Sequence, residues 1–190
     1  MNVIKTKING VYIIEPSVFK DARGYFMETY NEQHFIENKV TDKDHPFVQD
    51  NESESSYGVI RGLHMQLPPY GQAKLVRVVH GSVLDVAVDV RPGSKTFGKY
   101  VAVELSDENK RQLYIPRNFL HGFAVLSDKA RFLYKVDNLY YKPAEFGIRY
   151  DDPEINVDWA RLTNIPADKI ITSEKDRLAN TLKDLAQRLR

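Results

Sequence analysis

Arg61-Gly62-Leu63-His64 sets a guanidinium fork beside an imidazole, residue types that can grip an anion and move a proton. The apolar run Tyr57-Gly58-Val59-Ile60 leads into it and Met65-Gln66-Leu67-Pro68-Pro69 closes it with a turn, so the pair reads as part of one short strand. Alternation would send Arg61 and Leu63 to one face and His64 to the other, unless Gly62 bulges or twists the backbone. His64 could serve as a general base, since imidazole titrates near neutrality and a carboxylate partner would fix its tautomer and raise its basicity. Asp85, Asp89 and Asp176 are the candidate partners, and each has an ordinary alternative. Ser173-Glu174-Lys175-Asp176 has the spacing of a capping box that starts a helix. Asp85 and Asp89 alternate in phase with apolar neighbours, which reads as a solvated strand face.

Lys74 follows His64 across the Pro68-Pro69-Tyr70-Gly71 turn, so a hairpin could bring their side chains together and set an ammonium where it stabilises an oxyanion. A lysine on a strand edge is the commoner fate of that residue. Arg23 and Arg61 could each hold a phosphate through a bidentate fork, although either alone is usually a surface arginine. Tyr134, in the aromatic-rich stretch 132–141, could donate a proton opposite a histidine base, or be a core tyrosine with a bonded hydroxyl. Inward histidines in a barrel often hold a metal, and cupin barrels use His-x-His with a downstream acid and a later histidine. Here Gln66 stands where the second histidine would be, and Pro116-Arg117-Asn118-Phe119-Leu120-His121 resembles the later element with Asn118 in place of its glycine. Two histidines without the remaining ligands make a poor transition-metal site, so a metal-free barrel is expected.

The elements that must position these groups are short. Runs rich in valine, isoleucine, tyrosine and phenylalanine recur from Val11-Tyr12-Ile13-Ile14 to Phe132-Leu133-Tyr134-Lys135-Val136 with turn residues between them. That spacing predicts a mainly β chain, a jelly-roll-like barrel of antiparallel strands. His80-Gly81-Ser82 reads as a hairpin turn between two strong strands. Helices are expected over 31–39, capped by Asn31, and in the tail from Ser173, where Leu178, Leu182, Leu185 and Leu189 recur at helical spacing. The stretch 150–168 reads as an irregular wrap over the surface.

With 190 residues and 42% hydrophobic content, the chain is long enough for one domain, 1–190, with a sizeable core. Its apolar runs carry charges and its first residues lack the apolar core of a secretion signal, so no membrane span and a cytoplasmic location are expected. The absence of cysteine excludes disulfides, thiolate zinc sites and cysteine nucleophiles. A net charge of +1 gives no reason to expect nucleic acid, so an anionic ligand would need a local basic cluster.

The chain resembles the dTDP-4-dehydrorhamnose 3,5-epimerases, metal-independent cupin-fold enzymes of nucleotide-sugar biosynthesis. The resemblance rests on ordered motifs that include Asp21-Ala22-Arg23-Gly24-Tyr25-Phe26-Met27-Glu28, Gln49-Asp50-Asn51, Val59-Ile60-Arg61-Gly62-Leu63-His64, Gln72-Ala73-Lys74-Leu75-Val76-Arg77-Val78, Ile115-Pro116-Arg117-Asn118-Phe119-Leu120-His121-Gly122-Phe123, Tyr134-Lys135-Val136 and Ser173-Glu174-Lys175-Asp176. It implies inversion of carbons 3 and 5 of dTDP-4-dehydro-6-deoxy-D-glucose to give dTDP-4-dehydro-L-rhamnose, without a redox cofactor. By family position His64 would be the base oriented by Asp176, Lys74 would stabilise the enolate oxygen, and Tyr134 would return a proton from the opposite face. Arg23, Arg61 and Lys175 would hold the diphosphate, Gln49 and Asn51 the nucleotide and sugar, and Glu28 the thymine. His121 and Glu145 match further ligand-contacting positions, and Phe26 and Tyr140 match aromatic ones near the base. A homodimer is implied, in which the N-terminal segment with Arg23 and Glu28 completes the neighbouring site. Other readings are an enzyme of this barrel that inverts one carbon or moves the ketone, a metal-dependent cupin, and a sugar-nucleotide binding module without catalysis.

Overall fold

β-branched and aromatic side chains fit a pleated, half-buried surface, and short runs of them set the architecture of the protein, a computed structural model of which describes residues 1–189. In chain order the strands are β1 (Asn2–Lys5), β2 (Tyr12–Glu15), β3 (Val18–Asp21), β4 (Gly24–Met27), β5 (Gln49–Ser56), β6 (Ile60–Gln66) and β7 (Lys74–His80). They continue as β8 (Ser82–Asp89), β9 (Tyr100–Ser106), β10 (Gln112–Ile115), β11 (Phe119–Val125), β12 (Lys129–Val136) and β13 (Glu145–Gly147). The helices are α1 (Glu32–Glu37), α2 (Trp159–Thr163), α3 (Glu174–Arg177) and α4 (Leu182–Arg188). Strands β1-β2-β10-β7-β12-β5 form one sheet, β13-β6-β11-β8-β9 a second, and β3-β4 a separate two-stranded hairpin. Their pairings are antiparallel, and the two large sheets face each other as the expected jelly roll.

Alternation along the strands sorts the core into layers. Val83 and Ala87 of β8, Phe123 and Val125 of β11, Val76 and Val78 of β7 and Phe132 of β12 meet between the sheets. The opposite face of the second sheet, with Leu84, Val86, Val88 and Leu120, is sealed by Ile155, Val157, Trp159, Ile165, Leu182 and Leu185. Because β8 is covered on both sides, Asp85 and Asp89 are fully buried on the barrel side, and the solvated face expected for them is wrong. Asp89 is held there by Arg91, Ser94 and Thr96.

Three expectations change in detail. His80-Gly81-Ser82 does not close a hairpin, since β7 and β8 belong to different sheets. Gly81 marks the crossing, with φ +76° and a position where a Cβ would lie 2.1 Å from the Lys129 carbonyl. Asn31 does cap its helix, accepting from the His34 N–H at 3.2 Å, but the tail is two helices. Asn180 leaves helical geometry to pair with Gly147, and Thr181 starts α4 with a capping box to Asp184. Leu178 is therefore 73% exposed, while Leu182 and Leu185 are buried. The 150–168 stretch contributes to the core as well as wrapping it, and Trp159 Nε1–H donates to the Tyr150 carbonyl at 2.8 Å.

Candidate active site

Strict alternation would part Arg61 from His64, yet both line one cavity of about 490 Å³ at the barrel interior. Gly62 brings them together. It has φ +120°, and the β6–β11 register shifts between His121 and Phe123 opposite it. Ile60, Leu63 and Met65 consequently pack into the outer core while Arg61 and His64 face the cavity. A Cβ on Gly62 would lie 2.6 Å from Gly122 Cα and 2.7 Å from the His121 carbonyl. Gly62→Ala is expected to cost about 3 kcal/mol, from an unfavourable backbone region and a clash with main chain. A denaturant midpoint and an activity assay would check this, both falling together.

Asp176 reconciles its two readings. Its N–H donates to Ser173 Oγ at 3.1 Å, capping α3, while its carboxylate turns into the barrel. There Oδ1 lies 2.5 Å from His64 Nε2, and Oδ2 accepts from the Gly62 N–H at 3.5 Å. A carboxylate only accepts, so Nε2 carries the proton and Nδ1 is the basic nitrogen of His64. Burial works against the charged form of Asp176, but the hydrogen bond and charge of His64 outweigh it and hold the carboxyl below its ordinary value.

Lys74 reaches the same cavity from the facing sheet rather than as a hairpin partner, because β6 and β7 lie in different sheets. Desolvation pulls its ammonium down to about 8, with the charges of Asp85 and Glu145 pulling the other way. Its Nζ is 3.5 Å from His121 Nδ1, and His121 Nε2 is 2.9 Å from Asp85 Oδ2. His121 follows Asn118, which takes the left-handed φ of +63° where the cupin element has glycine. Its ring stacks on Phe132 at 5.9 Å, and Phe132 on Phe123 at 4.3 Å, forming an aromatic wall. Tyr134, on β12 in the sheet opposite His64, completes the lining, and burial raises its phenol while Arg61 opposes the rise.

Of the remaining candidates, Lys175 lines the cavity and pairs with Glu145 at 2.6 Å, and Glu145 also accepts from the Tyr140 hydroxyl at 3.1 Å. Arg61 Nε donates to Ser55 Oγ at 2.9 Å. Gln49 and Asn51 bond each other on β5, outside the cavity lining. Arg23, Phe26 and Glu28 are not brought to this cavity: Arg23 pairs with Asp21, Phe26 is exposed on the β3-β4 hairpin, and Glu28 contacts Asn31 and His34. Sequence reasoning missed Ser53, Phe123 and Phe132 as lining residues. Phe123 stands two residues after His121 on the same strand, so alternation carried its signal.

Residues 5–184 match the model of the protein family described as dTDP-4-dehydrorhamnose 3,5-epimerase. A curated relative of that name from Shigella flexneri is 55% identical over 92% of this chain and 96% of its own. The crystal structure of dTDP-4-dehydrorhamnose 3,5-epimerase from Elizabethkingia anophelis superposes with a TM-score of 0.90 at 51% identity, covering 97% of each chain. The dTDP-6-deoxy-D-glucose-3,5-epimerase of Legionella pneumophila, solved in complex with dTDP-4-keto-L-rhamnose, superposes with a TM-score of 0.91 at 44% identity, covering 99% of this chain and 96% of that one.

Proposed function

Because this chain belongs to the dTDP-4-dehydrorhamnose 3,5-epimerase family, whose members are isomerases, we propose that it inverts carbons 3 and 5 of dTDP-4-dehydro-6-deoxy-D-glucose. The product would be dTDP-4-dehydro-L-rhamnose, made in the cytoplasm by residues 1–190 acting as one domain. The observation that carries this reading is a 2.5 Å His64–Asp176 pair on one sheet side of a cavity whose other side holds Tyr134 and Lys74.

Both inverted carbons flank the carbon 4 ketone, so loss of either proton gives an enolate whose charge rests on one oxygen. His64 Nδ1 takes the proton, and the Asp176 carboxylate stabilises the imidazolium that forms. The Lys74 ammonium stabilises the enolate oxygen, so the route calls on no redox cofactor. Tyr134, kept protonated by its burial, gives a proton to the opposite face and regains one from solvent, to which the His64 imidazolium releases the proton it took. Inversion follows from using two groups on two faces.

Arg61 and Lys175 are suited to the diphosphate, with His121, Glu145, Tyr140, Gln49 and Asn51 as further ligand contacts. Arg23, Phe26 and Glu28 belong to the neighbouring site of a homodimer in this reading. What supports it is the β3-β4 hairpin, which exposes Phe19, Tyr25 and Phe26, beyond the reach of this protomer's cavity. Proton NMR in deuterium oxide with the substrate, followed by reductive trapping, tests the function. Deuterium at carbons 3 and 5 with formation of the L-sugar is expected. Exchange at carbon 3 alone would make the protein a mono-epimerase, and no exchange at either would overturn the reading.

A further inference from the structure

Asp85 is fully buried on the inner face of β8, in phase with Val83 and Ala87, and the proton transfers described above make no use of it. One oxygen, Oδ2, meets His121 Nε2 at 2.9 Å, while Oδ1 has no hydrogen-bond partner among the described residues. A buried carboxylate with an unpaired oxygen costs stability, and an apolar side chain would serve the core better. Packing alone thus gives no reason for an acid at this point. The geometry toward Lys74 gives one. Asp85 can only accept, so His121 Nε2 carries a proton; Lys74 can only donate, so His121 Nδ1, at 3.5 Å, offers its lone pair.

We infer that Asp85 is a positioning residue that fixes the His121 tautomer and, through that ring, holds the Lys74 ammonium aimed and charged for enolate stabilisation. This rests on the reading of Lys74 given above. Desolvation keeps His121 low, against the pull of Asp85, so the ring stays neutral and able to accept. Lys74 itself titrates at about 8, dragged down by burial and supported by the charges of Asp85 and Glu145. Glu145 is already engaged by Lys175 and Tyr140, whereas Asp85 is engaged, among the described residues, through Oδ2 by His121. The other titratable groups around the cavity are His64, Asp176, Tyr134, Arg61 and Lys175, and none is changed by a substitution at Asp85. Removing that one charge leaves a lysine that loses its proton within the working range.

The test is Asp85→Asn in the full chain, with Lys74 followed by carbon-13 NMR of labelled lysine ε-carbons, the signal assigned with Lys74→Met. The Lys74 titration is expected to move down by about one pH unit, with the alkaline limb of kcat moving by the same amount and KM little changed. An unmoved Lys74 titration overturns the inference. If Lys74 moves and the kcat limb stays, the coupling stands and the enolate role of Lys74 falls instead. Should Asp85→Asn fail to fold, nitrogen-15 NMR of the unaltered protein still decides: a neutral Nε2–H tautomer of His121 from pH 6.5 to 9 supports the inference, and an Nδ1–H tautomer or an imidazolium overturns it.

Discussion

Replacing His64 with alanine lowers kcat about a hundred- to ten-thousand-fold, the usual loss on removing one general base, and stops deuterium uptake at carbons 3 and 5 together. In the proposed mechanism both carbons depend on the same nitrogen, that of the imidazole held by Asp176 within the cavity. The fold should survive, since the His64 side chain is 31% exposed and its neighbours Leu63 and Met65 carry the packing. Circular dichroism would separate loss of chemistry from loss of structure. Asp176→Asn acts on the same step differently: an amide can donate to Nε2 and so favour the tautomer with the proton on Nδ1, which is useless as a base. Wild-type exchange in a folded His64 variant would remove this histidine from the mechanism.

Tyr134→Phe separates inversion from exchange. His64 still takes a proton and returns one to the same face, so deuterium should enter while conversion to the L-sugar drops about a hundredfold or more. The ratio of exchange to inversion, read from one NMR time course, is the measurement. Unimpaired inversion would place the acid elsewhere in the cavity. The substitution removes one oxygen from a ring packed against Phe132, so the wall of the cavity keeps its shape.

Strand content was legible in the sequence because β-branched runs and turn residues report local structure, whereas the roles of His64, His121, Lys74 and Tyr134 followed from the family resemblance, since spacing left edge and core positions open to Lys74 and Tyr134. What alternation could not supply was the shared face of Arg61 and His64, which exists only because Gly62 lets two backbones meet at Gly122. Asp85 was misjudged for a related reason. A strand covered on one side and one covered on both differ in what lies above them, and here that cover comes from residues as distant as Leu182 and Leu185. The break in the C-terminal helix was likewise set by a tertiary partner, Gly147, rather than by the leucine spacing. The Ser173 cap was readable, whereas the direction taken by the Asp176 carboxylate required the barrel beneath it.

Asp176 lies 112 residues beyond the histidine it orients, past the last barrel strand and near the close of the described chain. During synthesis the strands through β13 emerge first, carrying His64, Lys74, His121 and Tyr134. A nascent chain ending there would lack Ile171, Thr172, Ser173, Lys175 and Asp176 from the cavity wall, and the side chains from Ile155 to Leu185 that seal the second sheet. Competence would then arrive only when this last segment docks, so an interrupted translation product would leave the second sheet uncovered as well as the imidazole unoriented.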